Sequence, residues 1–106
     1  MATQKIEKER WTDYFDHLSN VTDPYTVTVE VIGLSLGDQI ATENAEFKGI
    51  SYDDEDDVVT VMAGDLGHMI KQPVEVYVLE DDTGLKSMEI GDAEGNKHIL
   101  LFSAAS

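Results

Sequence analysis

Apolar residues recur along the chain with two different periods, and the change from one to the other falls just past residue 20. Trp11, Tyr14, Phe15 and Leu18 stand at i, i+3, i+4 and i+7, which places three aromatics and a leucine on one stripe of a helix over about residues 8–19. Asn20 in the left-handed conformation would close that helix, and Asp23-Pro24 would end any continuation. A stripe of this kind is the side with which a helix covers a sheet, in preference to a free binding face. From Tyr25 the period becomes two. Tyr25, Val27, Val29 and Val31 alternate with Thr26, Thr28 and Glu30, the signature of a strand with one wet face.

Short strands follow to the end of the chain. Gly33 and Gly37-Asp38 mark a turn, a strand covers about residues 39–43, Glu43-Asn44 reads as a tight connection, and a further strand runs over 45–52. Within it Phe47 is in phase with Gly49, whereas Ile50 and Tyr52 are in the opposite phase, so Gly49 predicts a bulge or sharp bend. Val58 to Ala63 is a strand, Gly64-Asp65-Leu66-Gly67 breaks it, and His68-Met69-Ile70 reads as a single helical turn before Pro73. Val74, Val76 and Val78 alternate with Glu75, Tyr77 and Leu79, so both faces carry apolar groups and the strand is central. Residues 85–90 and 98–102 form the last strands, joined by a hairpin loop over Asp92-Ala93-Glu94-Gly95-Asn96 in which Gly95 suits a positive φ. The tail, Ser103-Ala104-Ala105-Ser106, is expected to fray.

One helix and about six or seven strands, joined by connections too short for a helical crossover, require a mostly antiparallel sheet. The fold class is α+β: an N-terminal amphipathic helix packed on a strongly curled sheet, a small partly open β-barrel, in a single domain over residues 1–106. The 42% of apolar residues suffices for a core at this length.

Charge narrows the function more than any motif. Acidic residues number 22 against seven basic ones, for a formal charge of −15. Such a surface repels nucleic-acid backbones and anionic lipid and attracts cations or basic partners. The acidity fits an ordinary acidic surface, adaptation to a salt-rich cytoplasm, or a decoy of nucleic acid, in that order of preference. With no cysteine, disulfides, thiolate chemistry and Cys-based zinc sites are excluded. The first ten residues are polar and mixed in charge, unlike a signal peptide, and the longest apolar runs are far too short to span a bilayer. A cytoplasmic location is the expectation.

The run Asp53-Asp54-Glu55-Asp56-Asp57 reads as a solvated hairpin tip. Its carboxylates, Asp53, Asp54 and Asp56 foremost, are candidate binding residues for a cation, yet they lack the glycine at the sixth position and glutamate at the twelfth that an EF-hand loop requires. No metal ligand set and no cofactor is assigned. Nucleophilic catalysis needs a Ser, Thr or Cys beside an oriented base, and His17, His68 and His98, on a helix, a loop and a strand, share no spacing that brings them together. No catalytic residue is assigned. His68, with Met69 and Ile70, is the best candidate for a binding site, because it stands in the longest irregular segment; the plainer alternative is a side chain that ties that loop down.

The stretch over about residues 11–63 is similar to Sm-like small barrels, in which a helix precedes strongly bent strands. A closer resemblance is carried by Ile6, Trp11 and Phe15, by Val27-Thr28-Val29-Glu30, by Gly49-Ile50-Ser51-Tyr52-Asp53, by His68, Ile70 and Pro73, and by Gly95 with Leu100-Leu101-Phe102. On these residues the chain resembles a bacterial family of small proteins, domain of unknown function 5335. That resemblance implies no activity and supplies no catalytic residue.

Two functions of different class follow. The first is a non-catalytic interaction module whose acidic face meets a basic protein partner, or whose exposed strand edge joins another copy, without nucleic acid or membrane. The second is a small-molecule binder or enzyme with a pocket between helix and sheet near His68. The first is preferred, because the second needs chemistry the residues do not supply.

Overall fold

In the computed structural model, which describes residues 2–19, 25–33, 37–82 and 84–104, eight strands form one continuous antiparallel sheet. Strand β1 spans Ala2–Lys5, and a 3-10 turn at Lys8–Arg10 leads into α1, Trp11–Ser19. The remaining strands are β2 Tyr25–Gly33, β3 Gly37–Asp53, β4 Val58–Ala63, β5 Leu66–Lys71, β6 Pro73–Asp81, β7 Gly84–Asp92 and β8 Lys97–Ala104. Their order across the sheet is β1-β6-β7-β8-β2-β3-β4-β5. The sheet does not close on itself; β1 and β5 are its edges.

The helix stripe points inward as its spacing predicts: Trp11, Phe15 and Leu18 are buried, and Tyr14 packs against the core. The indole N–H of Trp11 donates to the Ile6 carbonyl at 2.8 Å, so its polar atom is satisfied while the ring lies edge-on to Tyr52, with centroids 5.2 Å apart. At the other end of α1 the Ser19 hydroxyl donates to the Ile50 carbonyl at 2.8 Å and accepts the Ile50 N–H at 3.0 Å. That pair fastens the helix to β3 beside Gly49, where the ladder to β4 shifts register between Phe47 and Gly49. Gly49 has φ 156°, and a Cβ there would lie 3.4 Å from the Ser19 hydroxyl. The predicted bend is therefore present, and it lets one strand serve two sheet halves: the first part of β3 pairs with β2 and the second with β4.

Five expectations are corrected. Residues 39–43 and 45–52 are not separate strands but parts of the 17-residue β3. Glu43-Asn44 is a β-bulge: Asn44 takes φ 51°, its N–H donates to the Thr28 hydroxyl, and the ladder to β2 slips between Val27 and Val29. His68-Met69-Ile70 is not a helical turn. Gly64-Asp65 alone makes the connection, with Gly64 at φ 57°, and β5 pairs along its whole length with β4, Val61 opposite His68 and Val59 opposite Ile70. Finally, the polar N-terminus forms β1 on the edge of β6, Lys5 opposite Tyr77, which brings the strand count to eight. Ser103 and Ala104 belong to β8, opposite Thr26 and Tyr25; the expected cap at Asn20, the stop at Asp23-Pro24 and the last two residues of the tail lie outside the described residues.

The core lies inside the curl. Val27, Val29, Val59, Val61, Ile70, Val76, Val78, Met88, Ile90 and Leu100 are almost fully buried, and each such side chain removed from water stabilises the fold by about 1.5–3 kcal/mol.

Candidate functional site

The inward positions of β8 are His98, Leu100 and Phe102, all buried. A histidine in that row must find polar partners, and the curl supplies two. The β7–β8 hairpin turns back over Asp92–Asn96, so that Asp92 Oδ2 lies 2.9 Å from His98 Nε2. On the other side, His98 Nδ1 lies 2.9 Å from Nε2 of His68, on the inward side of β5. Two strands that are not neighbours in the sheet are thereby joined across its interior by a chain of three side chains.

The charge state of that chain begins at Asp92. Burial works against its ionised form, but hydrogen bonds from His98, from the N–H groups of Asn96 and Glu94, and from the Asn96 side chain outweigh it and hold the carboxyl below its usual range. An anion only accepts, so His98 Nε2 carries a proton and donates it to Asp92. In neutral His98 the Nδ1 lone pair then accepts from His68 Nε2–H. Burial, and after it the adjacent His98 ring, lower the pKa of His68 from the ordinary 6.5.

Beside this chain a cleft of about 630 Å³ opens between three segments: Asp56 and Val58 at the β3–β4 turn, Met69, Lys71 and Gln72 at the end of β5, and Asp92, Glu94 and His98 of the β7–β8 hairpin. Gln72, at φ 54°, binds the segments together; its N–H donates to the Asp57 carbonyl at 2.8 Å and its carbonyl accepts the Ala93 N–H at 3.0 Å. The lining carries three carboxylates, one ammonium and one imidazole, with Val58 and Met69 as the apolar part.

Of the predicted site residues, Met69 and Asp56 line this cleft. His68 stands behind it, in a strand instead of the expected loop, hydrogen-bonded to His98. Ile70 is a core side chain. Asp53 closes its own turn, accepting from the N–H groups of Glu55 and Asp56 at 3.0 and 3.3 Å, and Asp54 is exposed at the tip. No residue of α1 lines this cleft, which opens between the end of the sheet and the β7–β8 hairpin and not, as the expected pocket would, between helix and sheet. The expectation that the histidines stay apart is corrected for two of the three; His17 is exposed on α1. Among the described residues no three His, Asp or Glu side chains converge as a metal site. Among them, no helix is long and apolar enough to cross a membrane.

The model of the family of unknown function DUF5335 matches residues 2–106. The chain belongs to that family. An uncharacterized protein of Aquifex aeolicus (strain VF5) is 39% identical over 106 residues, covering 99% of this chain and 96% of that protein. No solved structure matches.

Proposed function

We propose that the protein is a non-catalytic binding module and that its cleft receives a cationic side chain of a basic protein partner. The observation that carries this reading is the lining itself: Asp56, Asp92 and Glu94 face a space with a single lysine, Lys71, beside an apolar patch of Val58 and Met69. A lysine or arginine fits such a site, with its methylene stem on Met69 and Val58 and its charged head among the carboxylates. The formal charge of −15 draws basic partners toward any part of the surface, and the cleft gives one a fixed seat.

The lining also argues against acid–base chemistry. Both ring nitrogens of His98 are engaged, one by Asp92 and one by His68, and the cleft presents no serine, threonine or cysteine as nucleophile. Titrating the protein with a lysine decapeptide while following amide shifts tests the reading. The Glu94, Lys71 and Asp56 amides are expected to move most, with affinity falling as salt rises and falling further in an Asp56→Asn/Glu94→Gln variant. Affinity that is indifferent to salt or to those two substitutions rejects it.

A further inference from the structure

The larger part of the sheet has a second side, and among the described residues no helix packs on it. Strand register fixes what that side presents. Tyr77 pairs with Glu89, Glu89 with Ile99, Ile99 with Glu30 and Glu30 with Ile40, so these five residues form one row across β6, β7, β8, β2 and β3. The next row runs through Leu79, Ser87, Leu101 and Thr28. Leu101 is 46% exposed between two paired strands, and Ile40 is 60% exposed on the part of β3 that pairs with β2 alone. Helix α1 packs on the other side, against the core.

This face is not flat. Two hollows of about 310 and 370 Å³ lie on it, and both are lined by Glu89 and Ile99. In the first, Tyr77, Leu79, Ile99 and Leu101 surround Glu89, and in the second Lys97 stands with Glu89 beside Ile32 and Ile99. Beside Ile32 and Ile40, the neighbouring Asp38 carboxyl raises the pKa of Glu30. Two acids brought together in this way are relieved by an arriving cation.

We propose that this outer face docks a cationic amphipathic segment of a partner protein, its apolar residues over Ile99, Leu101 and Ile40 and its lysines or arginines against Glu30 and Glu89. Charge complementarity selects this occupant over a second copy of the chain. A two-fold pairing of the same face would bring together two molecules that each carry −15. An apolar sheet face rimmed and studded with charge is a recognition surface and not a packing fault, because contiguous apolar patches on a monomer mark interaction sites. The inference is independent of the cleft and stands or falls without it.

The test uses the full chain and two synthetic 18-residue peptides of leucine and lysine, identical in composition, one ordered to form an amphipathic helix and one scrambled to have no apolar side. At physiological salt the amphipathic peptide is expected to bind at least about tenfold more tightly than the scrambled one, a difference of about 1.4 kcal/mol. The exposed pair Ile40→Ser/Leu101→Ser should erase that preference, and Glu30→Gln/Glu89→Gln should flatten its salt dependence. The cleft variant Asp56→Asn/Glu94→Gln should leave the preference intact. Equal binding of the two peptides overturns the proposal, as does a preference lost only in the cleft variant. Sedimentation that shows a dimer broken by Ile40→Ser/Leu101→Ser assigns the face to a second copy and overturns it as well.

Discussion

Leu100 and Leu101 are neighbours in β8, yet Leu100 is 0% exposed and Leu101 is 46%. One belongs to the inner side of the curled sheet, among Val27, Val29, Met88 and Ile90, and the other to the outer side beside Ser87 and Thr28. The residue type is the same, so the difference in environment comes from the alternation of the strand and from the curl that closes over only one side. Hydrophobic content by itself therefore does not say which residues hold this fold together.

The largest expected effect tests that contrast directly. Leu100→Ala should lower unfolding free energy by about 2–5 kcal/mol, as cavity-forming substitutions do, whereas Leu101→Ala should change it by less than about 0.5 kcal/mol; denaturant unfolding of the two variants measures both. Comparable losses would mean that the outer side is covered in solution. A smaller effect sharpens the account of what shapes the inner side. Ser19→Ala removes the hydroxyl that both donates to and accepts from Ile50, and should cost about 1–2 kcal/mol with a thermal midpoint shifted down and no loss of strand signal.

The smallest effect concerns the polar chain buried on the inner side. His68 has its pKa lowered from 6.5 by burial and by His98, so below pH 6.5 the unfolded chain takes up a proton that the folded chain resists. Stability contributed by neutral His68 is complete above 6.5 and declines as pH falls through that value toward the folded pKa. Asp92, whose pKa is depressed from 3.8, keeps its contribution until the pH falls below that range. Unfolding measured from pH 7.5 to 5.5 should show this slope in the native chain and a shallower one in His68→Gln. Identical slopes would remove His68 from the account.

Much of the inner side could be read in advance. Trp11, Phe15 and Leu18 announced the helix and its buried stripe, the valines of β2, β4 and β6 announced strands, and Gly49 announced the bend, because each rests on local spacing. Where spacing was ambiguous, tertiary pairing decided. Asn44 has the positive φ expected of a turn, but the partner strand continues past it and makes it a bulge. Gly67 resembled a breaker, yet it sits within β5 opposite Met62. Ala2–Lys5 has no apolar alternation to betray it, since an edge strand needs only a backbone to pair with. The site was half legible. A hairpin loop between Asp92 and His98 already implies that these two approach each other, but the meeting of His68 and His98, 30 residues apart, depends on how far the sheet curls, and no local pattern encodes that angle.

Gln72 couples the three segments around the cleft mechanically as well as geometrically. With its amide held by Asp57 and its carbonyl holding Ala93, the acidic tip, the end of β5 and the β7–β8 hairpin cannot separate without giving up a backbone hydrogen bond. Anything that wedges the hairpin away from β5 must break the Ala93–Gln72 bond, so deuterium uptake at the Ala93 amide would quicken if the mouth were forced open and slow if an occupant held it shut.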